Sequence, residues 1–88
     1  LDSIRNKMNS TKDGYRLQIY DAMTVTNANK TLKKYKKTLP DSLYIVFEAP
    51  FYKIRYGNYT SKKIAEDEKE NLHKQGFKDI WIVKSRIN

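Results

Sequence analysis

The chain has 88 residues, no cysteine and a formal net charge of +8. That length makes one domain burying roughly 60–65% of its unfolded surface, and the lack of cysteine excludes disulfide and thiolate chemistry. No apolar run approaches membrane-spanning length and nothing resembles a signal peptide, while the positive charge favours an anionic partner: nucleic acid, anionic lipid or an acidic polymer.

Residues 1–13 are polar, with Ile4 and Met8 at helical i, i+4 spacing, and read as a linker or a short docking helix. The turn-rich Asn9-Ser10-Thr11-Lys12-Asp13-Gly14 closes this segment. A polar start is expected of a piece of a longer protein whose targeting segment lies elsewhere. The folded domain is expected over residues 14–88.

Tyr15 to Tyr20 alternates as a strand, with Leu17 and Ile19 inward and Arg16, Gln18 and Tyr20 outward. Thr26 or Asn27 is the expected cap of the next helix, because either side-chain oxygen accepts from its unpaired first amides. Ala28, Leu32, Tyr35 and Leu39 form its buried stripe, and Pro40 and Asp41 end it. Lys30, Lys33, Lys34, Lys36 and Lys37 crowd the opposite side and read as a solvated face.

Leu43 to Glu48 is a second strand, rich in aromatic and β-branched residues. Ala49-Pro50 turns it into a third strand running to Tyr59. There Tyr52, Ile54 and Tyr56 point to the core, and Phe51, Lys53 and Arg55 point away from it. Gly57 permits a bend or a close approach near the strand's end. Thr60 or Ser61 caps a second helix with Ile64, Ala65 and Leu72 inward, and Gly76 suits its left-handed C-terminal cap. Phe77 is expected to pack back on the core. Asp79 to Ser85 is the fourth strand, with Ile80 and Ile82 alternating against Trp81 and Val83, and Ile87-Asn88 is a tail.

The βαββαβ order is reinforced by an internal repeat. A shift of 37 positions carries Tyr15 to Tyr52 (52 − 15 = 37). The same shift carries Arg16 to Lys53, Leu17 to Ile54, Ala28 to Ala65, Tyr44 to Trp81, Ile45 to Ile82 and Val46 to Val83. Two copies of one unit predict an α+β ferredoxin-like (RNP-like) fold, a four-stranded antiparallel sheet with two helices on one face. Right-handed crossovers put strands one and three in the centre and strands two and four outside. The uncovered face then carries Arg16, Gln18, Tyr20, Tyr44, Val46, Phe51, Lys53, Arg55, Trp81 and Val83. Aromatics beside cations over one extended area mark it as a binding surface; a plain polar face or an oligomer interface is the competing reading.

Catalytic chemistry finds no candidates. There is no cysteine, and no serine with a recognisable histidine and acidic partner. His73 stands alone among polar neighbours, and Glu66, Asp67, Glu68 and Glu70 share a helix with lysines, as surface pairs do. No glycine-rich phosphate loop is present. Neither an enzyme activity nor a metal or other cofactor is expected.

Gly14-Tyr15-Arg16-Leu17-Gln18-Ile19-Tyr20, Ala28, Pro50 to Tyr59, Ala65 and Gly76-Phe77-Lys78-Asp79-Ile80-Trp81-Ile82-Val83 together resemble the SPOR (sporulation-related repeat) domain. The similarity spans Gly14 to about Val83. It implies a non-catalytic module of bacterial cell-envelope or cell-division proteins, in the envelope or periplasm, that binds peptidoglycan. The preferred ligand it implies is glycan stripped of stem peptides, as found where amidases split the wall at division septa. Within that resemblance Gln18, Phe51, Lys53 and Arg55 match the family's strand-one glutamine, strand-three aromatic and strand-three basic positions. Tyr20 departs from the pattern, since many members carry a small residue there, as the repeat partner Gly57 does.

The chemistry suits such a ligand. Removing a stem peptide frees the lactyl carboxylate of muramic acid, which Arg16, Lys53 and Arg55 could meet with charge-assisted hydrogen bonds. Gln18 complements an N-acetyl amide, and Trp81, Tyr20, Tyr44 or Phe51 could cover sugar rings. The expected glycan site is therefore Arg16, Gln18, Tyr20, Tyr44, Phe51, Lys53, Arg55 and Trp81. The expected partner is the glycan strand, with no nucleic acid and with a monomer or weak dimer as the oligomeric state. The alternatives are a single-stranded RNA-binding domain of the same topology or a protein-interaction module. Against RNA, Lys53 to Tyr59 does not fit the aromatic RNA-recognition pattern.

Overall fold

The computed structural model describes residues 12–87. The elements follow in the order β1 (Lys12–Ala22), α1 (Val25–Lys36), β2 (Leu43–Glu48), β3 (Phe51–Tyr59), α2 (Lys62–Lys74) and β4 (Trp81–Ile87). The Ile4/Met8 segment and Asn88 lie outside the described residues. Lys12 and Asp13, read from sequence as part of a turn, already belong to β1.

The strands form one antiparallel sheet in the order β2-β3-β1-β4, so the two halves of the repeat place β1 and β3 side by side in the centre. Leu17, Ile19, Ile54 and Tyr56 on one sheet face pack with Leu39, Ala65, Leu72 and Ile80, and with Leu32, Tyr35 and Phe77. Both helices thus cover the same face. Ala28 and Ala65, related by the repeat, are fully buried, and their small side chains let each helix sit close on the sheet.

Several boundaries differ from the sequence reading, each for a local reason. Thr24, not Thr26 or Asn27, caps α1: its backbone is extended and its Oγ1 accepts from the Asn27 amide at 3.1 Å. The helix stops at Lys36, because the Thr38 and Leu39 amides both donate to the Tyr35 carbonyl, and Leu39 reaches the core from the loop before Pro40. Ser61 caps α2, accepting from the Ile64 amide at 3.2 Å. Ile64 itself is 48% exposed; Ala65 and Leu72, seven residues apart, take the inward line instead.

Gly76, at φ 105°, ends α2. The Phe77 amide donates to the Leu72 carbonyl and that of Gly76 to His73, a Schellman closure that brings Phe77 against Tyr35. Ile80 is buried ahead of β4, which begins at Trp81. Ile87 is no tail: it is the last residue of β4, buried over Gly14.

Two register shifts interrupt the central β1–β3 pairing. Gln18 pairs with Arg55 and Tyr20 with Ile54, so β1 holds an extra residue at Ile19–Tyr20. Leu17 pairs with Tyr56 and Tyr15 with Tyr59, so β3 holds an extra residue at Gly57–Asn58. Each bulge reverses the alternation of everything beyond it.

Candidate glycan-binding face

The uncovered sheet face is ordered by cross-strand register. Tyr44 stands opposite Arg55, Arg55 opposite Gln18, and Gln18 opposite Trp81, one row that crosses all four strands. With strands about 4.8 Å apart, three gaps give a row about 14 Å long. Toward the β2–β3 hairpin, Val46, Lys53 and Asp21 make a second row, and Glu48 faces Phe51 beyond it. Toward the other end, Arg16 stands opposite Val83 and beside Asn58.

Arg16 is held by neutral groups. Its Nε and Nη2 donate to Asn58 Oδ1 at 3.3 and 3.0 Å, and its Nη1 donates to Ser85 Oγ at 3.2 Å. Its guanidinium lies 3.9 Å from the centre of the Tyr44 ring, a cation–π contact. Asn58 Nδ2 in turn donates to the Tyr44 hydroxyl at 2.8 Å. That hydrogen bond, with the Arg16 charge adding to it, holds the Tyr44 phenol below its ordinary pKa.

Lys53 and Arg55 meet a carboxylate instead. Lys53 Nζ and Arg55 Nη2 both reach Glu48 Oε1, at 3.0 and 3.2 Å. The hydrogen bond from Lys53 first, and then the Arg55 charge, hold the Glu48 carboxyl below the usual carboxylate range. Arg55 Nε also donates to Gln18 Oε1 at 3.4 Å, and Gln18 Nε2 donates to Asp21 Oδ1 at 3.3 Å. A continuous polar string therefore runs Asp21–Gln18–Arg55–Glu48–Lys53. Gln18 is only 7% exposed, whereas Trp81 beside it is 66% exposed.

The structure brings Arg16, Gln18, Tyr44, Phe51, Lys53, Arg55 and Trp81 onto this face. Tyr20 is a correction. The bulge at Ile19–Tyr20 pairs Tyr20 with the buried Ile54 and turns its ring toward the helices, edge-on to Tyr35 with centroids 6.5 Å apart. Asp21 takes the open-face position in its stead, opposite Lys53. Tyr20 still reaches the rim of a depression of about 260 Å³ lined by Gln18, Asp21, Asp79 and Trp81, where β1 runs on past the start of β4. A larger cavity of about 710 Å³ lies on the helix side, between the C-terminal ends of α1 and α2.

The face is also less cationic than alternation implies. Among the described residues Glu48 and Asp21 stand beside Lys53 and Arg55 on this face, while all five lysines from Lys30 to Lys37 belong to α1 and its cap. Glu48, Asp21, Asn58 and Ser85 are the polar partners that the sequence reading does not name. Glu48 was within reach, since it continues the alternation of Tyr44 and Val46. Asp21 and Asn58 were not, because only the two bulges bring them round. Among the described residues, no group of three or more His, Cys, Asp or Glu could hold a metal ion, and no helix is long and apolar enough to cross a membrane.

Compared with known families, residues 8–84 match the model of the SPOR domain, nearly the whole chain. No curated protein and no solved structure matches it.

Proposed function

The chain belongs to the SPOR domain family, peptidoglycan-binding rather than catalytic modules of cell-division and cell-envelope proteins, and from that premise we propose that its open sheet face binds glycan strands stripped of stem peptides. The observation that carries this reading is the row Tyr44–Arg55–Gln18–Trp81. An exposed indole offers an apolar plate to a sugar ring at low entropic cost. Beside it, Gln18 supplies a donor and an acceptor to an N-acetyl amide, and its other contacts at 3.3 and 3.4 Å are long enough to yield. Lys53 and Arg55, neighbours on the same face, are the donors this reading assigns to a free lactyl carboxylate through charge-assisted bonds. Phe51 flanks them at the hairpin end.

Each contact is modest. A neutral hydrogen bond contributes about 1 kcal/mol net, so a handful of them and one stacked ring give affinity of about micromolar order. A stem peptide converts the lactyl carboxylate to an amide, which removes its charge and adds bulk. Selectivity for stripped glycan then needs no catalysis. Binding to single-stranded RNA gains little from Lys53 and Arg55, because Glu48 already engages both.

The test is co-sedimentation with purified peptidoglycan before and after amidase treatment, with single-stranded RNA as the competing ligand. Retention should rise after amidase treatment. Retention of RNA, with none on treated wall, would contradict the proposal.

A further inference from the structure

We propose that Lys53 and Arg55 form a carboxylate-exchange subsite, with Glu48 occupying, in the free domain, the place that the ligand's carboxylate takes in the complex. The inference rests on the glycan-binding reading above and assigns Glu48 a role within it. Both cations converge on one oxygen, Glu48 Oε1, at 3.0 and 3.2 Å, so the pair is already arranged around a single carboxylate. The cations are the fixed part: their side chains are 22% and 12% exposed and stand on the central strand β3. Glu48 is the movable part, 51% exposed and last in the edge strand β2 before the Ala49–Pro50 turn. Exposed ion pairs of this kind are weak, and a carboxylate leaving this one re-enters water at little cost.

Exchange explains selectivity that bare cations would not supply. Two unpaired cations on an open face attract any polyanion. Neutralised by Glu48, they keep a strong interaction only for a group that replaces it like for like. A free lactyl carboxylate held in register by Gln18 and Trp81 does so; the amide left by an intact stem peptide carries no charge to trade. Arg16 cannot serve this way, because Asn58, Ser85 and the Tyr44 ring hold it without any acid to displace.

Glu48→Gln keeps the side chain's size and removes its charge. The expected result is about three- to fivefold tighter binding of amidase-treated peptidoglycan, the scale of an exposed ion pair lost from the competing state. Binding to inorganic polyphosphate should rise by a larger factor, so that selectivity for the held carboxylate over other anions falls, while binding to stem-peptide-bearing wall, whose amide carries no charge, should change less than about twofold. A gain below twofold on treated wall, or any weakening, overturns the exchange. The double variant Lys53→Ala/Arg55→Ala separates this outcome from failure of the site. If the double variant binds treated wall as the parent does, the open-face reading fails; if it loses binding while Glu48→Gln shows no gain, only the exchange fails.

Discussion

The two central strands are copies of one pattern and have come to different chemistry. Under the shift of 37, Arg16 corresponds to Lys53, Gln18 to Arg55, Tyr20 to Gly57, Asp21 to Asn58 and Ala22 to Tyr59. Both strands bulge at neighbouring positions of the pattern, and both bulges return a polar residue to the open face, Asp21 in one and Asn58 in the other. The backbones solve the bulge differently. Gly57 takes φ +79°, while no residue other than glycine among those described, Tyr20 included, has positive φ. The side chains diverge as well: β1 holds its cation in a neutral clamp, and β3 holds its two against a carboxylate. The shared pattern keeps the scaffold, while the cations it carries differ in what holds them: neutral groups on β1 and a carboxylate on β3.

The largest expected effect breaks the equivalence of the bulges. A Cβ on Gly57 would collide with the buried Tyr59 ring and impose a left-handed conformation that side chains disfavour. Gly57→Ala should cost roughly 3 kcal/mol in urea unfolding, whereas Tyr20→Gly should cost about 1 kcal/mol for a half-exposed ring. Equal costs would mean that the bulges are interchangeable.

The cations come next. Arg16→Ala should lower stability by roughly 2 kcal/mol, through the lost cation–π contact and an Asn58 left without its donor, with a smaller effect on glycan binding. Arg55→Ala should do the reverse, weakening glycan binding about tenfold with little loss of stability. Trp81→Ala, at an exposed position, should also cost about tenfold in binding and leave the unfolding midpoint in place. If Arg16→Ala abolished binding in a folded protein, the division of labour between the strands would be wrong.

The smallest effect concerns Tyr59, which stands where the other copy has Ala22. Its hydroxyl is buried with no hydrogen-bond partner among the described residues, so Tyr59→Phe should stabilise by about 1 kcal/mol. Burial first, and nearby Glu68 second, push its phenol well above the ordinary value, and burial likewise raises those of Tyr35 and Tyr56. A folded-state pKa above the unfolded one gives stability that is complete below the unfolded value of about 10 and lost as pH rises beyond it. Unfolding followed from pH 9 to 12 should show a steep alkaline loss, shallower in Tyr59→Phe. An unchanged alkaline limb would show that Tyr59 does not couple to folding.

Element order, strand order and the helix-covered face were legible because they follow from period: Leu17 and Ile19, Ile54 and Tyr56 alternate in ways that only a half-covered sheet satisfies. The repeat added what periodicity alone lacks, a link between strands far apart in sequence. The bulges were not legible in full. Gly57 signalled an irregularity in β3, but nothing in Gln18-Ile19-Tyr20-Asp21 announces an extra residue, and one unannounced residue was enough to send Tyr20 to the other face. The cation partners were hidden for a related reason. Arg16, Lys53 and Arg55 look alike as charges in a sequence, and only the register decides that one meets an amide and a ring while the others meet Glu48.

If the proposal holds, the open face, and not the lysine-rich helix side, receives the glycan. Amide and side-chain chemical shifts recorded while amidase-released glycan is titrated in distinguish the two surfaces. The largest changes are expected on the Trp81 indole N–H, the Gln18 side-chain amide and the Arg55 Nε–H, with α1 nearly silent. Changes concentrated on Lys30 to Lys37, with Gln18 and Trp81 unmoved, would contradict the proposal.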